Sequence, residues 1–322
     1  MASACQIYLH LRRILPFFVR DIGDNRGTGL RDTTMDPNIV VLAAGVSSRM
    51  KNSARDAGSV DPLLLREAAS KAKSMLGVGR GGRPFMDYVL RSISRAGYRD
   101  VVLVVGEHDN SIRGYYEEQG GIDRFPDLRL TFVVQPKPPG RTKPLGTADA
   151  LYCSLVAVPR WRGYKFTVCN SDNLYAGTAL RLLLEDTHPN AMIDYDRSAL
   201  RFPPERIEHF SVIKKDQAGF LIDITEKPTP DDIAAARDAG GRIGVSMNLF
   251  RFSYDVILPC LEKEPLHPVR LEKELPGAVR RMVRANPRTM FTIPLSEHVI
   301  DLTSASDIPA VQAYLDGEFP DF

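Results

Sequence analysis

The chain has few cysteines, no metal-binding histidine pattern and no repeat. Its 322 residues include four cysteines, Cys5, Cys153, Cys169 and Cys260, which lie far apart and form no CxxC spacing. This argues against a zinc site and against a disulfide scaffold, and it predicts reduced thiols in a cytoplasmic protein. The six histidines are scattered, and no HExxH pattern occurs. No internal repeat occurs, so a repeat architecture is not expected.

An excess of one charge and a long apolar run are also lacking. Lysine and arginine total 42 against 40 acidic residues, a formal net charge of +2. This balance gives no support for a protein that binds nucleic acid or a membrane surface. The apolar stretch Ile7–Val19 is interrupted by Arg12 and Arg13 and is too short to span a bilayer.

The N-terminal region differs in character from the remainder. Asp21–Asp36 is polar and glycine-rich, as a linker or disordered segment is. Met35 stands just before the first good strand. We therefore expect residues 1–36 to be an extension that is disordered or lies upstream of the true start, and residues 37–322 to form one domain.

From Asn38 onward, short apolar runs alternate with amphipathic stretches. This alternation predicts an α/β fold with a mostly parallel sheet flanked by helices. In the first half we predict strands at 39–42, 100–106, 130–135, 164–170 and 191–195, and helices at 84–96, 146–156 and 178–186.

The second half has a different pattern, in which two strands around a tight turn predict an antiparallel portion. These strands are 210–214 and 220–226. We also predict one continuous strand over 245–252 and a further strand over 289–293, with helices at 231–239, 254–262, 271–284 and 306–315.

The stretch Asn38–Lys51, NIVVLAAGVSSRMK, joins a buried strand to a turn of small residues. Free backbone N–H groups in such a turn, with Arg49 and Lys51 beside them, can hold a phosphate chain. An ordinary strand followed by a loop fits the same residues.

Three later stretches fall at predicted strand ends or helix starts, where ligands bind in open α/β sheets. Gly146 and Thr147 open a helix whose orphan amides favour an anion or a base edge, or form a plain N-cap. Asp172 follows a strand, where it could hold a divalent cation or cap a turn. Glu226 and Lys227 place a carboxylate beside an ammonium, as a ligand site or a surface ion pair does.

Together these stretches resemble the sugar-phosphate nucleotidyltransferases, a family related to nucleoside-diphosphate-sugar pyrophosphorylases. The order of the motifs is kept over roughly residues 38–310. The resemblance implies a Rossmann-like, GT-A-like mixed sheet whose antiparallel C-terminal portion completes a sugar site. The segments that carry it are AAGVSSRMK (phosphate loop), Lys73–Leu76 with Gly82–Pro84 (K-x-L-L…G-K-P), GTADAL (GTA-x-A-L), Asn170–Asp172 (N-x-D), Glu226–Pro228 (EKP) and Gly244–Asn248 (N-x-G-x-Y).

The resemblance implies that a nucleoside monophosphate passes from an NTP to a sugar 1-phosphate and that pyrophosphate is released. It implies Mg²⁺ as cofactor, held by Asp172 with Asp301 as second ligand. Arg49 would neutralise the leaving pyrophosphate, and Lys73 would bridge the α-phosphate and the incoming phosphate. The implied nucleotide-binding residues are Leu42, Ala43, Ala44, Gly45, Gln135, Gly146 and Thr147, and those for the sugar phosphate are Glu226, Lys227 and Asn248.

Several alternatives stay open at this point. Lys71 competes with Lys73 for the catalytic role, because the loop after Arg49 is longer than is usual in the family. Lys73 is favoured, since Met75 and Leu76 follow it at the family spacing. Ser47 and Ser48 replace the usual Gly-Thr of the family, which leaves the acceptor unidentified. A non-sugar phosphate such as phosphocholine is an alternative acceptor. A catalytically inactive nucleotide-binding regulator is a second reading. The oligomeric state, including a homo-oligomer, is equally open.

Overall fold

The computed structural model describes residues 19–22, 35–45, 47–53 and 60–322 of the chain. Most of the predicted N-terminal extension therefore lies outside the described residues. Within it, Val19–Ile22 forms a strand, β1. The expectation about the other residues of the extension stays a prediction.

Four parallel strands form the centre of the large sheet. They are β2 (Asn38–Leu42), β3 (Asp100–Gly106), β4 (Arg129–Gln135) and β5 (Lys165–Asn170), in the spatial order β4-β3-β2-β5. The register aligns Leu42 with Val104 on one side and with Asn170 on the other. Because the four strands run the same way, their carboxyl ends meet along one edge of the sheet.

The remaining strands extend this sheet in mixed directions. β1 pairs antiparallel with β4 at one end. Beyond β5 the order is β11 (Phe250–Ser253), β7 (Ala191–Asp196), β10 (Gly244–Val245), β8 (Val212–Lys215) and β9 (Leu221–Thr225), while β12 (Phe291–Leu295) runs parallel to β7. A separate two-stranded sheet joins β6 (Asn173–Leu174) to β13 (Ile300–Asp301). The prediction of a mixed, mostly parallel α/β sheet is confirmed.

Helices flank both faces of the sheet. Both faces must be covered because the central strands are apolar on each side. In β2, Ile39 and Val41 lie in one apolar core, and Val40 and Leu42 lie in the other. The helices are α1 (Ser48–Ser53), α2 (Pro62–Ser70), α3 (Phe85–Arg95), α4 (Asn110–Arg113), α5 (Thr147–Ala157), α6 (Gly177–Glu185), α7 (Pro204–Ile207), α8 (Pro230–Ala235), α9 (Tyr254–Lys263), α10 (Leu275–Ala285) and α11 (Ile308–Glu318).

The elements predicted for the first half agree with the structure to within one residue at each end. Three predictions for the second half are wrong. The helix predicted over 231–239 ends at Ala235, because the chain turns at Ala236 and Arg237 then forms an antiparallel bridge with Ile243. The continuous strand over 245–252 is instead divided into β10 and β11, because Asn248 between them has a left-handed backbone with φ +57°. The helix predicted from Leu271 begins only at Leu275, and Leu271 itself has φ +55°.

Candidate active site

A cavity of about 520 Å³ opens at the carboxyl edge of β2, β4 and β5. Its position follows the rule that open α/β sheets bind ligands beyond the ends of their parallel strands. The cavity brings together every site residue predicted from the sequence except Asp301. Those lining residues are Leu42, Ala43, Ala44, Gly45, Arg49, Lys73, Gln135, Gly146, Thr147, Asp172, Glu226, Lys227 and Asn248.

The turn after β2 is held between neighbouring segments. The Ala43 amide donates to the carbonyl of Val104 on β3 (2.8 Å), which extends the ladder by one residue. Ser47, with φ +54°, accepts through its hydroxyl from the Lys73 amide (3.2 Å). Arg49 on α1 is exposed and makes no ion pair with any described residue. The turn and the lysine segment are therefore linked directly.

Lys73 and Asp172 form an ion pair inside the cavity, through Nζ and Oδ2. Their side chains are only 17% and 16% exposed, so the pair is largely shielded from water. Asp172 is fixed by its backbone, since its carbonyl accepts from the Leu302 amide (2.8 Å). The pair lies 99 residues apart in sequence.

The other candidate lysine lies elsewhere. Lys71 bonds Glu67 one turn earlier in the chain (2.6 Å), where its side chain is 42% exposed, and it does not line the cavity. Of the two lysines that the sequence left in competition, Lys73 is the one that the fold brings to the cavity.

The start of α5 is packed against the segment before α10. Gly146 has φ +100°, and a Cβ there would lie 2.6 Å from the carbonyl oxygen of Lys273. That carbonyl accepts from the Ala148 amide (3.0 Å), and the Thr147 hydroxyl accepts from the Leu275 amide (3.0 Å). One amide of the first turn of α5 is thus already bonded within the chain. Glycine is required here by the close backbone approach.

Gln135, at the end of β4, is buried with its amide fixed. Its Nε2 donates to the Gly146 carbonyl (2.9 Å) and to Oδ2 of Asp149 (2.7 Å). Both hydrogens of the amide nitrogen are therefore used by the chain. Its carbonyl oxygen is the part of the side chain left for a ligand in the cavity.

The opposite part of the cavity holds a bridged pair of carboxylates. Nη2 of Arg270 bonds Oε2 of Glu226 (2.7 Å) and also Oε2 of Glu274. Burial, together with the neighbouring Glu226 carboxylate, raises the pKa of Glu274 to about 7. Nε of Arg270 is buried with no hydrogen-bond partner among the described residues. The predicted sugar-binding Glu226 is thus one member of a three-residue network.

Left-handed backbone conformations are concentrated around this cavity. Of the five non-glycine residues with positive φ in the described chain, Ser47, Lys227 and Asn248 line the cavity. Leu271 stands between two lining residues, Arg270 and Glu272. Such conformations cost about 1–3 kcal/mol each and are typical of ligand sites.

Asp301 lies outside the cavity lining, near Asp172. Its Oδ2 accepts from Arg206 on α7 (2.5 Å) and its Oδ1 from the Thr303 hydroxyl (2.6 Å). Burial first, and the charge of Asp172 second, raise the pKa of Asp301 to about 6. No cluster of three or more His, Cys, Asp or Glu side chains suited to a metal occurs in the described part of the chain.

Sequence reasoning missed the residues that reach the cavity from the segment before α10. Arg270, Glu272 and Glu274 belong to a charged run that reads as the face of a helix. Pro276 was the available signal, because proline is favoured in the first turn and so marks a later helix start. Lys143, His209 and Ser211 also line the cavity, and no pattern in the sequence singles them out.

Comparison with known proteins identifies the family. The sequence profile described as "Nucleotidyl transferase" matches residues 68–293, more than half of the chain.

None of the helices in the described ranges has the length and apolar character needed to cross a lipid bilayer.

Individual relatives are distant. The chain is 22% identical to a glucose-1-phosphate adenylyltransferase of Koribacter versatilis over 71% of this chain and 51% of the relative. It is 24% identical to that of Photobacterium profundum over 70% of this chain and 51% of the relative. The chain therefore spans about half the length of these curated relatives.

Among solved structures, the UTP-bound UGPase from Acinetobacter baumannii superposes with a TM-score of 0.63. The match has 18% sequence identity and covers 88% of this chain and 94% of that one. At this identity the likeness establishes the fold alone.

Proposed function

This chain belongs to the nucleotidyl transferase family, and from that premise we propose that it transfers a nucleoside monophosphate from an NTP to a sugar 1-phosphate. The observation that carries the proposal is the shielded Lys73–Asp172 ion pair in the cavity at the strand ends. The products are pyrophosphate and a nucleoside-diphosphate sugar. Relatives named as glucose-1-phosphate adenylyltransferases support this class of reaction.

The reaction needs positioning and neutralisation of charge more than covalent catalysis. An oxygen of the acceptor phosphate forms a bond to the α-phosphorus, the bond from that phosphorus to the bridging oxygen breaks, and pyrophosphate leaves with that oxygen. Lys73 would hold the two phosphates that react. Arg49, which makes no ion pair with a described residue, would neutralise the leaving pyrophosphate.

The nucleotide and acceptor ends are assigned from the lining. The small residues Ala43, Ala44 and Gly45 let a base and ribose approach the backbone, with Gln135 offering its carbonyl oxygen to the base. Lys227 would bind the acceptor phosphate, and Glu226 and Asn248 the sugar. The cavity volume lies in the usual range for small-molecule sites, about 300–1,000 Å³.

Asp172 fits Mg²⁺ as a single carboxylate ligand that is completed by substrate phosphates, which is the usual way that proteins bind this ion. It already pairs with a cation in the form of Lys73. Asp301 fits less well, since both of its oxygens are bonded within the chain. A bound Mg²⁺ would supply further neutralisation of phosphate charge. Asp172 is therefore the residue we assign to the metal, with Asp301 as ligand only if it releases Arg206.

A cytoplasmic location belongs to the same proposal and is supported by the free thiols of Cys153, Cys169 and Cys260.

The test is a pyrophosphate-release assay in which each of the four NTPs is crossed with a panel of sugar 1-phosphates and phosphocholine. We expect one NTP with one sugar 1-phosphate to give pyrophosphate and nucleotide sugar in equal amounts, and Asp172→Asn to lower the rate about 10²–10³-fold. Tight NTP binding without turnover across the whole panel would overturn the proposal in favour of a regulatory relative.

A further inference from the structure

Two carboxylates in the cavity share one guanidinium. Arg270 places a single nitrogen, Nη2, between Oε2 of Glu226 and Oε2 of Glu274. All three residues line the cavity, and their side chains are between 18% and 30% exposed. With both carboxylates ionised, the trio has one net negative charge at the end of the cavity assigned to the acceptor.

The trio is held by two separate elements. Glu226 follows β9, and Glu274 is the N-cap residue of α10. Arg280 on α10 bonds Oδ1 of Asp223 on β9 (2.8 Å), which fixes the helix against the strand. The two carboxylates are therefore carried by a strand end and a helix start that are bonded to each other.

Other charged groups face the same space. Lys227 follows Glu226, Glu272 lies in the segment before α10, and His209 reaches the cavity from the segment before β8. Counted with the trio, these side chains bring three carboxylates and two cations, Arg270 and Lys227, to the lining, which also includes Arg49, Lys73 and Lys143. A phosphorylated acceptor brings further negative charge to this place.

We propose that Glu274 is a positioning residue that controls binding of the acceptor: it takes up a proton when the acceptor binds, so that Arg270 and Glu226 face the acceptor without excess negative charge. This inference rests on the proposed transferase function and adds a residue and a pH dependence to it. Protonated Glu274 can donate to Glu226 and leaves Glu226 as the hydrogen-bond acceptor for sugar hydroxyls. Ionised Glu274 instead repels Glu226 and the incoming phosphate.

The proton on the pair has consequences between pH 6 and 8. Burial and the neighbouring Glu226 carboxylate raise the pKa of Glu274 to about 7, in the middle of this range. The protonated fraction falls from about nine tenths at pH 6 to about one tenth at pH 8. If the acceptor binds the protonated form, its KM rises up to about tenfold over this range.

Glu274→Gln is the direct test, because glutamine is a neutral isostere of the protonated carboxyl. The acceptor is the sugar 1-phosphate that gives the highest rate in the substrate panel. At pH 8 the variant should have an acceptor KM up to about tenfold lower than the wild type has at the same pH, and at pH 6 the two KM values should be nearly equal. Its KM for the NTP should stay within about twofold of the wild-type value, as for a residue that acts only on acceptor binding.

Two controls separate this effect from others. Glu264→Gln changes another carboxyl whose pKa burial raises, paired with Arg281 (3.5 Å) and outside the cavity lining, and it should keep the wild-type pH profile. His209 also lines the cavity, so His209→Asn must keep the dependence of the acceptor KM on pH. Titration of the acceptor phosphate itself, near pH 6, is common to all variants and cancels in the comparison.

A Glu274→Gln acceptor KM that follows pH as the wild type does would overturn the inference while leaving the transferase reaction in place. An equal change in the NTP and acceptor KM values would also overturn it, as the sign of a merely structural role. A wild type that releases no pyrophosphate would overturn the proposed function and this inference with it.

Discussion

At Gly146 the fold requires a residue without a side chain. Its φ of +100° is open mainly to glycine, and an added Cβ would lie 2.6 Å from the Lys273 carbonyl oxygen and 3.0 Å from Cβ of Glu272. The contact joins the start of α5 to the segment that carries Arg270 and Glu274. A single methyl group would therefore separate two parts of the cavity wall.

We predict that Gly146→Ala lowers the free energy of unfolding by roughly 2–4 kcal/mol, from backbone strain and overpacking together. Urea unfolding followed by circular dichroism measures it. Gly45→Ala is the matched control, because a Cβ at Gly45 has no atom of the described residues within 4 Å and its φ is not positive. Its cost should be within about 0.5 kcal/mol. Equal stability of the Gly146 variant and the wild type would contradict the packing described for α5.

The residues of the site that follow strands could be predicted from the sequence, and those in long connections could not. Gln135 and Asp172 come at or just after apolar runs, and parallel strands place such residues at one edge. Arg270 meets Glu226 across 44 residues, between a loop and a strand end, and no local pattern encodes that contact. The preference for Lys73 over Lys71 came from its spacing to Met75 and Leu76, and the fold brings Lys73, not Lys71, to the cavity.

At the scale of elements, Asn248 decides where a strand ends. The apolar pattern over 245–252 favours one strand, yet φ of +57° at Asn248 turns the chain and separates β10 from β11. Asparagine is among the few non-glycine residues that adopt this conformation readily. The pattern of apolar residues does not reveal a left-handed backbone angle at one position, so it predicted a continuous strand.

We predict that Asn248→Val destabilises the protein by about 1–2 kcal/mol, because a β-branched residue in the left-handed region is strained. Asn248→Gly keeps the turn and should stay within about 1 kcal/mol of the wild type. The measurement is the midpoint of urea unfolding at constant slope. A valine variant as stable as the glycine variant would show that the turn does not depend on residue 248.

At the scale of the whole molecule, the strand order of the sheet brings the residues of the site together. The order β4-β3-β2-β5 puts the turn after β2, Gln135 and Asp172 at one edge. This parallel core followed from alternating apolar runs and amphipathic helices. The antiparallel position of β11 between β5 and β7 could not be predicted from the sequence, because the residues of a four-residue strand do not indicate which strands it pairs with.

The mixed half of the sheet completes the cavity from the other side. Glu226 and Lys227 come directly after β9, at the far end of the strand order from β4. The loop before α10 then returns to contact both Gly146 and Glu226. The ends of the cavity that we assign to the nucleotide and to the acceptor are in this way parts of one continuous wall.

The rate of pyrophosphate release by Lys73→Ala, compared with Lys71→Ala, tests the proposed reaction most directly. Lys73 pairs with Asp172 in the cavity. Lys71, two residues before Lys73 in the sequence, instead bonds Glu67 at the surface. Removing the Lys73 charge should lower kcat about 10²–10³-fold, since it removes stabilisation of the reacting phosphates, and Lys71→Ala should stay within about twofold of the wild type. Equal rates for the two variants, with both folded, would contradict the assignment of phosphoryl chemistry to this cavity.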